Sequence, residues 1–430
     1  MEKVSKKEIF GWAMFDFANS SFTTVIITVV FSAYFVSHVV GDDLLGVKYW
    51  GWGLALSNLV VMTAGPFIGA VADFSGSKKR FLFISYIFCV LFTALLFLVA
   101  RGDILPALII VILANIAFSA GENFCSAFLP EIARPEQMGK ISGYGWALGY
   151  IGGLLSLALC LAIFQIFGQG EIQIRFTFLS TSLFFLLSAI PTFLWLRERK
   201  QPEALPQGET YIKVGYKRLG ETFKDLAHFG ELLKFLFVFF LFSCGISTII
   251  AFSSIFAESV VGFSKSETLI FFIVVQLSSS LGAFAFGFVE DRIGAKRTIT
   301  ITLVLWIIVV AGVWWSPSKA FFWFAGNLAG LAIGSSQSSS RAMVALFTPR
   351  SKSAEFFGLW GMSAKFAATV GIFSYSLMTT MSGSMRSAIL LTGLFFIAGL
   401  IGIFFIDEER GKKGAALYEE KNTDCSNCLF

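Results

Sequence analysis

The chain has 430 residues, of which 56% are hydrophobic and only 14% are charged, and 51 of them are phenylalanine. This composition excludes a soluble domain, in which about a quarter of the residues are charged. The net charge of +5 is small, and no stretch combines basic and aromatic residues as a nucleic-acid surface would. We therefore predict an integral membrane protein with no nucleic-acid partner.

Long apolar segments predict the membrane-spanning helices, because a bilayer core requires about 20 residues at a rise of about 1.5 Å each. Twelve such segments follow one another: 9–38, 49–72, 80–100, 104–129, 140–167, 174–197, 233–258, 267–290, 297–316, 319–342, 354–381 and 384–406. The first is too long for a removable signal peptide and is predicted to be retained. The prediction is an all-α membrane protein with twelve transmembrane helices.

The distribution of basic residues predicts the orientation of these helices. Most of the 33 lysines and arginines lie before the first span, in every second loop and in the tail. Cytoplasmic segments carry this excess in membrane proteins. We therefore expect a multi-pass protein with both termini in the cytoplasm.

A charged, proline-containing linker, 198–232, separates two sets of six spans at 1–197 and 233–406, and 407–430 forms a tail. Lys213, Lys217 and Lys224 alternate with apolar residues in the linker, which is typical of an amphipathic helix at a membrane surface. The tail holds Cys425 and Cys428 in CxxC spacing, but no second pair completes a metal site. No metal and no cofactor are expected.

Two loops about half a chain apart share a sequence pattern. The first reads GAVADFSGSKKR from Gly69, and the second reads GFVEDRIGAKRT from Gly287. Their matching glycines and aspartates are Gly69, Asp73 and Gly76 in the first and Gly287, Asp291 and Gly294 in the second. Two homologous six-helix halves of like orientation explain the repeat.

The second loop contains the full cytoplasmic signature of the major facilitator superfamily, G-x-x-x-D-R-x-G-x-K-R, whereas the first has Phe74 at the position of Arg292. Four further stretches are similar to the vacuole-effluxer-like branch, which includes an autophagy-related vacuolar amino-acid effluxer of yeast. They are WAMFDFANSSF from Trp12, AFLPEIA from Ala127, ISGYGWALGYIGG from Ile141, and SR at Ser340 with the later EFFG and Lys365. The chain thus resembles this branch along all twelve spans.

The resemblance implies the major facilitator fold, in which two pseudo-symmetric bundles give alternating access to a central cavity. It implies that spans 1, 4, 7 and 10 line the cavity and that the two signature loops act as conformational latches. The latch residues would be Gly69, Asp73, Gly76, Gly287, Asp291, Arg292 and Gly294, and Phe74 would weaken the first latch. The short linker and tail resemble a bacterial member, so a bacterial inner membrane is expected.

Four ionisable residues lie inside predicted spans: Asp16, Glu122, Arg341 and Lys365. Such groups are costly in lipid and usually face the protein interior or a wet cavity. Asp16 shares a helix face with Asn19, and Glu122 shares one with Asn115. These two polar stripes predict a solvated path between the helices.

Glu122 and Arg341 occupy equivalent positions in the two halves with opposite charge. We predict that they pair across the pseudo-two-fold axis and form a gate when the cytoplasmic side closes. In the alternative, each is held within its own bundle, Glu122 by Asn19 or Asn115 and Arg341 by Gln337 or backbone carbonyls.

Lys365 lies near mid-membrane, where it binds either an anionic group of the substrate or an acid of the protein. Asp16 binds a proton or a substrate amine, or it stabilises neighbouring helices near the gate. Two acids and a base suit a zwitterion such as an amino acid. A sugar, a lipid head group or an organic anion remains an alternative substrate.

These features predict a monomeric secondary active or facilitative transporter of a small polar solute, with the proton as the candidate coupling ion. No GxxxxGK[ST] motif for ATP binding is present. A membrane enzyme is not expected, because the only histidines, His38 and His228, lie on opposite sides of the predicted membrane. The remaining alternative is a non-transporting receptor or scaffold on the same fold.

Overall fold

The computed structural model describes residues 4–168, 170–199, 202–203, 205, 208–225, 229–315 and 318–427. Its twelve long helices are α1 (Lys6–Val40), α2 (Asp43–Phe74), α3 (Lys78–Leu98), α4 (Ile104–Ile132), α5 (Pro135–Phe167), α6 (Glu171–Trp195), α7 (Gly230–Val261), α8 (Lys265–Ile293), α9 (Ala295–Trp315), α10 (Lys319–Phe347), α11 (Arg350–Ser382) and α12 (Met385–Phe404). His228, Cys428 and the predicted end of the ninth span at 316 lie outside the described residues, and the side chains of Lys224 and Cys425 are not described.

The predicted all-α fold with twelve long helices is confirmed, and each predicted span coincides with one helix, with ends that differ by at most six residues. Within the described ranges, 11 helices are both long and apolar enough to cross a membrane. The exception is α10, whose sequence SSQSSSRA lowers its hydropathy. Its 29 residues are long enough to span a bilayer, and most of the polar segment is buried inside the protein.

Local sequence signals set the helix ends. Gly41 and Gly262 end α1 and α7 with φ values of 71° and 78°, which only glycine adopts without strain. The next helices then begin at side-chain caps: Asp42 accepts from the N–H of Leu45 at 2.9 Å, and Ser264 forms a capping box with Glu267. The connection between the first two helices is therefore built in the same way in both halves.

The helix α1 is not uniform. Two π-helical segments, Phe22–Val29 and Phe35–Val40, interrupt its α-helical geometry. A π-helical turn shifts the residues that follow it around the helix axis and is frequent at functional sites. The shift begins at Phe22, about one turn after Asn19, so the predicted polar stripe that contains Asp16 and Asn19 applies only to the first part of α1.

Helices α1–α6 and α7–α12 form two bundles, which meet along two crossings: α2 packs on α11, and α5 packs on α8. A linker helix, Tyr211–Asp225, lies on α2, where Gly215 faces Phe67 and the rings of Tyr216 and Phe67 are 4.7 Å apart. A tail helix, Glu408–Asn427, follows α12. We call the end of the bundle that carries the start of α1, the linker helix and the tail helix the termini face.

Candidate functional site

Arg341 lies at the contact between the two halves. It is 1% exposed, and its Nη1 donates to Oδ2 of Asp16 on α1 at 2.6 Å, which forms an ion pair. Its Nη2 donates to the carbonyl of Ser142 on α5 at 2.8 Å, and its Nε donates to the Ser142 hydroxyl at 3.2 Å. A single side chain of the second half thus binds two helices of the first.

Two tryptophans and a glycine hold this ion pair in place. The guanidinium carbon lies 4.8 Å from the ring centre of Trp12 and 5.4 Å from that of Trp146. Trp12 is fixed because its indole N–H donates to the carbonyl of Cys125 at 2.7 Å. Gly145 leaves the space for the pair, since a Cβ there would lie 2.3 Å from Oδ2 of Asp16 and 2.5 Å from Nη2 of Arg341.

The predicted pairing of Glu122 with Arg341 is therefore wrong for this conformation, because Asp16 and Ser142 occupy the donors of the guanidinium. Two positions related by a pseudo-two-fold axis need not touch. Here the partners of Arg341 lie on α1 and α5, and Glu122 on α4 forms no hydrogen bond or ion pair with it among the described contacts. The alternative in which Arg341 is held within its own half, by Gln337 or by backbone carbonyls, is also not found among the described contacts, since the carbonyl that it binds belongs to Ser142 of the first half. The electrostatic neighbours of Glu122 are Lys365, Asp16 and Arg341, with Lys365 the strongest.

Glu122 and Lys365 form a second charged group, on α4 of the first half and α11 of the second. Both side chains are partly exposed, and neither forms a hydrogen bond or an ion pair with the described residues. The ammonium of Lys365 lies 6.0 Å from the ring centre of Phe118, which stacks on Phe22 at 5.3 Å. An acid and a base from opposite halves thus flank an aromatic surface.

The two predicted asparagines differ in their surroundings. Asn115 is buried and donates to the hydroxyl of Ser57 at 2.6 Å, so it connects α4 to α2 inside the first half. It does not join the group around Glu122. Asn19 is buried one turn from Asp16, and its side-chain oxygen has no hydrogen-bond partner among the described residues.

The aspartates of the repeated loops cap helices of the opposite half. Oδ2 of Asp73, at the end of α2, accepts from the backbone N–H of Glu355 on α11 at 2.9 Å. Oδ1 of Asp291, near the end of α8, accepts from the backbone N–H of Lys140 on α5 at 3.2 Å. A carboxylate at the start of a helix satisfies free N–H groups and the helix dipole, so each aspartate stabilises closure of the termini face.

Glycines allow the same two crossings to close. A Cβ on Gly69 would lie 2.3 Å from the carbonyl oxygen of Ala354, and one on Gly287 would lie 2.8 Å from that of Gly139. The loop glycines Gly76 and Gly294 have φ values of 56° and 90°, which any side chain would strain. All four predicted latch glycines are thus required by the backbone.

The two loops differ after this point. Lys79 and Lys296 are the structural equivalents, since their N–H groups donate to Glu198 at 2.6 Å and to Glu408 at 2.9 Å. Burial raises the pKa of Glu198, while the N–H of Lys79 opposes that shift. Lys78, which the sequence repeat aligns with Lys296, is instead buried and ion-paired with Glu131.

Lys78 also connects the halves, because its ammonium donates to the hydroxyl of Ser353 on α11 at 2.7 Å. Phe74 contacts the linker helix, where the guanidinium of Arg218 lies 5.5 Å from its ring centre. Arg292 is exposed, and the described contacts give it no bond across the halves. The first loop, without the signature arginine, therefore makes more contacts across the halves than the second.

Most described polar contacts between the halves lie toward the termini face. Besides those above, Ser142 donates to the carbonyl of Ser338 at 2.8 Å, and Arg350 donates to that of Pro130 at 3.0 Å. One contact lies nearer the middle of its helices: Ser280 on α8 donates to the carbonyl of Ala147 on α5 at 3.0 Å. At the opposite face, the described ion pairs stay within one half, as in Arg175–Glu171 at 3.6 Å and Lys319–Glu267 at 2.8 Å. The structure is therefore closed at the termini face.

Ser142, Trp146 and Lys78 contribute to the site but are not among the predicted site residues. Ser142 and Trp146 lie in the stretch ISGYGWALGYIGG, which carries the family resemblance but no predicted role for either residue. Lys78 lies in the repeated loop, but the repeat aligns it with Lys296, whose structural equivalent is Lys79.

Comparison with known proteins agrees with this architecture. A family model described as "Vacuole effluxer Atg22 like" matches residues 52–416. YxiO of Bacillus subtilis, an uncharacterized MFS-type transporter, is 26% identical over 418 residues that cover 95% of this chain and 96% of YxiO. Autophagy-related protein 22 of Yarrowia lipolytica is 27% identical over 339 residues, 71% of this chain and 57% of that protein.

Solved structures show the same fold at low identity. The human organic anion transporter MFSD10 (TETRAN) superimposes with a TM-score of 0.75 at 13% identity, covering 93% of this chain and 99% of its own. The proton:xylose symporter XylE superimposes with a TM-score of 0.74 at 14% identity, covering 96% and 98%. The predicted major facilitator fold is confirmed.

Proposed function

Because the chain belongs to the Atg22-like vacuole effluxer family and is a membrane transporter rather than an enzyme, we propose that it carries a small zwitterion, such as an amino acid, by alternating access. The observation that carries the proposal is the placement of Glu122 and Lys365. Each is free of hydrogen bonds and ion pairs among the described residues, and they come from opposite halves. A zwitterion between them pairs its ammonium with Glu122 and its carboxylate with Lys365.

The ion pair between Asp16 and Arg341 acts as the gate below this site. It joins α1 to α10 and must break when the termini face opens. The excess of basic residues supports a termini face in the cytoplasm, and with that orientation the present conformation is closed to the cytoplasm. We propose that the protein acts as a monomer, because both charges of the proposed site belong to one chain. We propose the inner membrane of a bacterium as its location, which its similarity to YxiO over 95% of the chain supports.

The alternative substrates leave different groups unused. An organic anion would pair with Lys365 and leave Glu122 without a partner, and a sugar would need neither charge. A zwitterionic lipid head group would use both charges but would bring an acyl chain. The two side chains can therefore be removed one at a time to identify the substrate class.

The test is binding and uptake by the purified protein, with amino acids, organic anions, sugars and lysolipids as ligands. Ligand binding is measured by thermal shift and uptake in proteoliposomes. Glu122→Gln and Lys365→Ala should each weaken amino-acid binding about 10- to 100-fold, since each removes a charged hydrogen bond of about 1.5–3 kcal/mol. Lys413→Ala, on the exposed tail helix, is the control.

Other outcomes would contradict the proposal. Loss of binding only in Lys365→Ala would indicate an anion, and wild-type binding by both variants would show that the two charges do not bind the solute. If no ligand binds and no flux occurs, the fold serves as a receptor or scaffold.

A further inference from the structure

A second site lies on the termini face, away from Glu122 and Lys365. A cleft with a volume of about 970 Å³ opens there between the start of α5, the end of α8 and the tail helix. Its lining includes Glu136, Gly139, Glu290 and Arg297. The cleft therefore spans the crossing of α5 and α8, at which the halves separate when this face opens.

Glu290 forms the floor of this cleft. It is only 3% exposed, and neither of its carboxylate oxygens has a hydrogen-bond partner among the described residues. It packs against the other half, since a Cβ on Gly139 would lie 2.6 Å from Cβ of Glu290. The side chain is thus a polar group enclosed by the contact between the two halves.

No nearby charge on α8 or α5 neutralises Glu290. Its neighbour Asp291 is another acid and accepts from the backbone N–H of Lys140. The ammonium of Lys140 lies 5.0 Å from the ring centre of Phe288 and 5.8 Å from that of Tyr144, so it is directed toward these aromatic rings.

The other described elements do not neutralise Glu290 either. Arg297 on α9 lines the cleft but is exposed to solvent, and the ammonium of Lys296 donates to the carbonyl of Ile406 at 2.6 Å. On the tail helix, Lys412 pairs with Glu408 at 2.8 Å and with Glu409 at 3.2 Å. On α10, Ser339 supplies a hydroxyl near the carboxyl group, and Arg341 is bound to Asp16. A buried carboxylate without a partner costs several kcal/mol, so this conformation favours the neutral, protonated acid.

We propose that Glu290 is a proton-binding site whose occupancy is tied to closure of the termini face. When the face closes, α5 covers Glu290 and the side chain holds a proton. When the face opens, α5 separates from α8, water reaches the carboxyl group through the cleft, and the proton is released to that side. Each closure takes up one proton, so acid on that side favours the closed state.

The inference rests on the alternating access proposed above, but it concerns the coupling ion rather than the solute. It assigns the proton to Glu290, outside the central site. Glu122 and Lys365 then bind the solute, and Asp16 and Arg341 form the gate.

The test is the distance between the halves as a function of pH, measured without any solute. Spin labels on Gln137→Cys and Arg297→Cys, both exposed positions, report the opening in a background without Cys425 and Cys428. The wild type should shift from short to long distances as the pH rises. Glu290→Gln, which mimics the protonated acid, should stay closed at every pH, and Glu136→Gln should titrate like the wild type because Glu136 is exposed in the same cleft.

A distance distribution that is independent of pH in the wild type, or a Glu290→Gln variant that titrates normally, would overturn the proposal. A second measurement needs no variant: a hydrophobic carbodiimide, which reacts with protonated carboxyls, should label Glu290 in the wild type at low pH and not at high pH. Equal labelling of Glu290 at both pH values would also overturn it. Because no solute is present, failure of this inference and failure of the zwitterion proposal are distinguishable.

Discussion

Asp16→Asn should open the termini face. The change removes the negative charge that faces Nη1 of Arg341 at 2.6 Å and keeps the size of the side chain. In the closed state the guanidinium is then buried without a counter-charge, whereas in an open state water solvates it. The substitution therefore destabilises one conformation and leaves the other nearly unchanged.

The size of the shift follows from the burial of the pair. The side chains of Arg341 and Asp16 are 2% and 12% exposed, so solvent screens the pair little. Removing one partner of a buried ion pair costs about 3–5 kcal/mol. Arg341 keeps two bonds to Ser142, which favours the lower figure of about 3 kcal/mol and a shift of the closed–open equilibrium of about 100-fold.

Spin labels on Gln137→Cys and Arg297→Cys measure this equilibrium, and Asp43→Asn, an exposed acid near the opposite face, is the control. The double variant Asp16→Asn with Arg341→Gln provides the decisive comparison. It removes both charges and leaves none unpaired, so it should open the face less than Asp16→Asn alone. If the double variant opens the face as much or more, or if Asp16→Asn leaves the distances unchanged, the gate is not electrostatic.

Two further perturbations test the packing of the same face. Gly145→Ala should reduce flux in proteoliposomes at least about tenfold, because its Cβ has no room beside the ion pair, while Gly51→Ala, where no atom lies within 4 Å, should have no effect. Asp291→Ala should shift the closed–open equilibrium, measured by spin-label distances, toward the open state by the free energy of a lost helix cap, about 0.5–2 kcal/mol. Asp73→Ala should shift it further, because the ammonium of Lys78 also lies 3.9 Å from the Asp73 carboxylate. Equal shifts in the two aspartate variants would show that Lys78 does not contribute to the latch.

The sequence predicted the helices and the positions of the two loop aspartates because both depend on local or repeated patterns. Runs of apolar residues determine the spans, and the repeat places Asp73 and Asp291 at equivalent ends of α2 and α8. The type of partner could also be predicted, although not the individual residue, since a carboxylate beside the start of a helix accepts backbone N–H groups.

The partner of Arg341 could not be predicted, because it depends on how α1, α4 and α5 are rotated about their axes. Periodicity placed Asp16 and Glu122 on polar faces but did not decide which of them lies closer to α10. The role of Ser142 depends on Gly145 leaving space for the guanidinium, a fact of packing that no spacing rule contains. The exchange of Lys78 for Lys79 arose because α3 begins one residue later in its loop than α9 does.

The pseudo-symmetry shows why the charges of the site are arranged as they are. Glu8 and Glu231 both accept the N–H of a residue that follows the last helix of their half, Arg197 and Asp407 respectively. At the same spacing from these two glutamates, α1 carries Asp16, whereas α7 carries Phe239.

The same comparison applies to the second half. Lys140 and Glu355 occupy equivalent positions, since each donates its N–H to a loop aspartate of the other half. At the same offset in the sequence, Tyr150 is equivalent to Lys365, and the repeat also relates Glu122 to Arg341. Of the four ionisable residues predicted inside the spans, both acids, Asp16 and Glu122, belong to the first half, and both bases, Arg341 and Lys365, belong to the second. Attraction between the halves therefore closes the termini face through Asp16 and Arg341, while Glu122 and Lys365, which form no ion pair with each other, keep opposite charges free. A zwitterion that bridges Glu122 and Lys365 adds to this attraction, which is how binding of a solute can be coupled to the closure of the site around it.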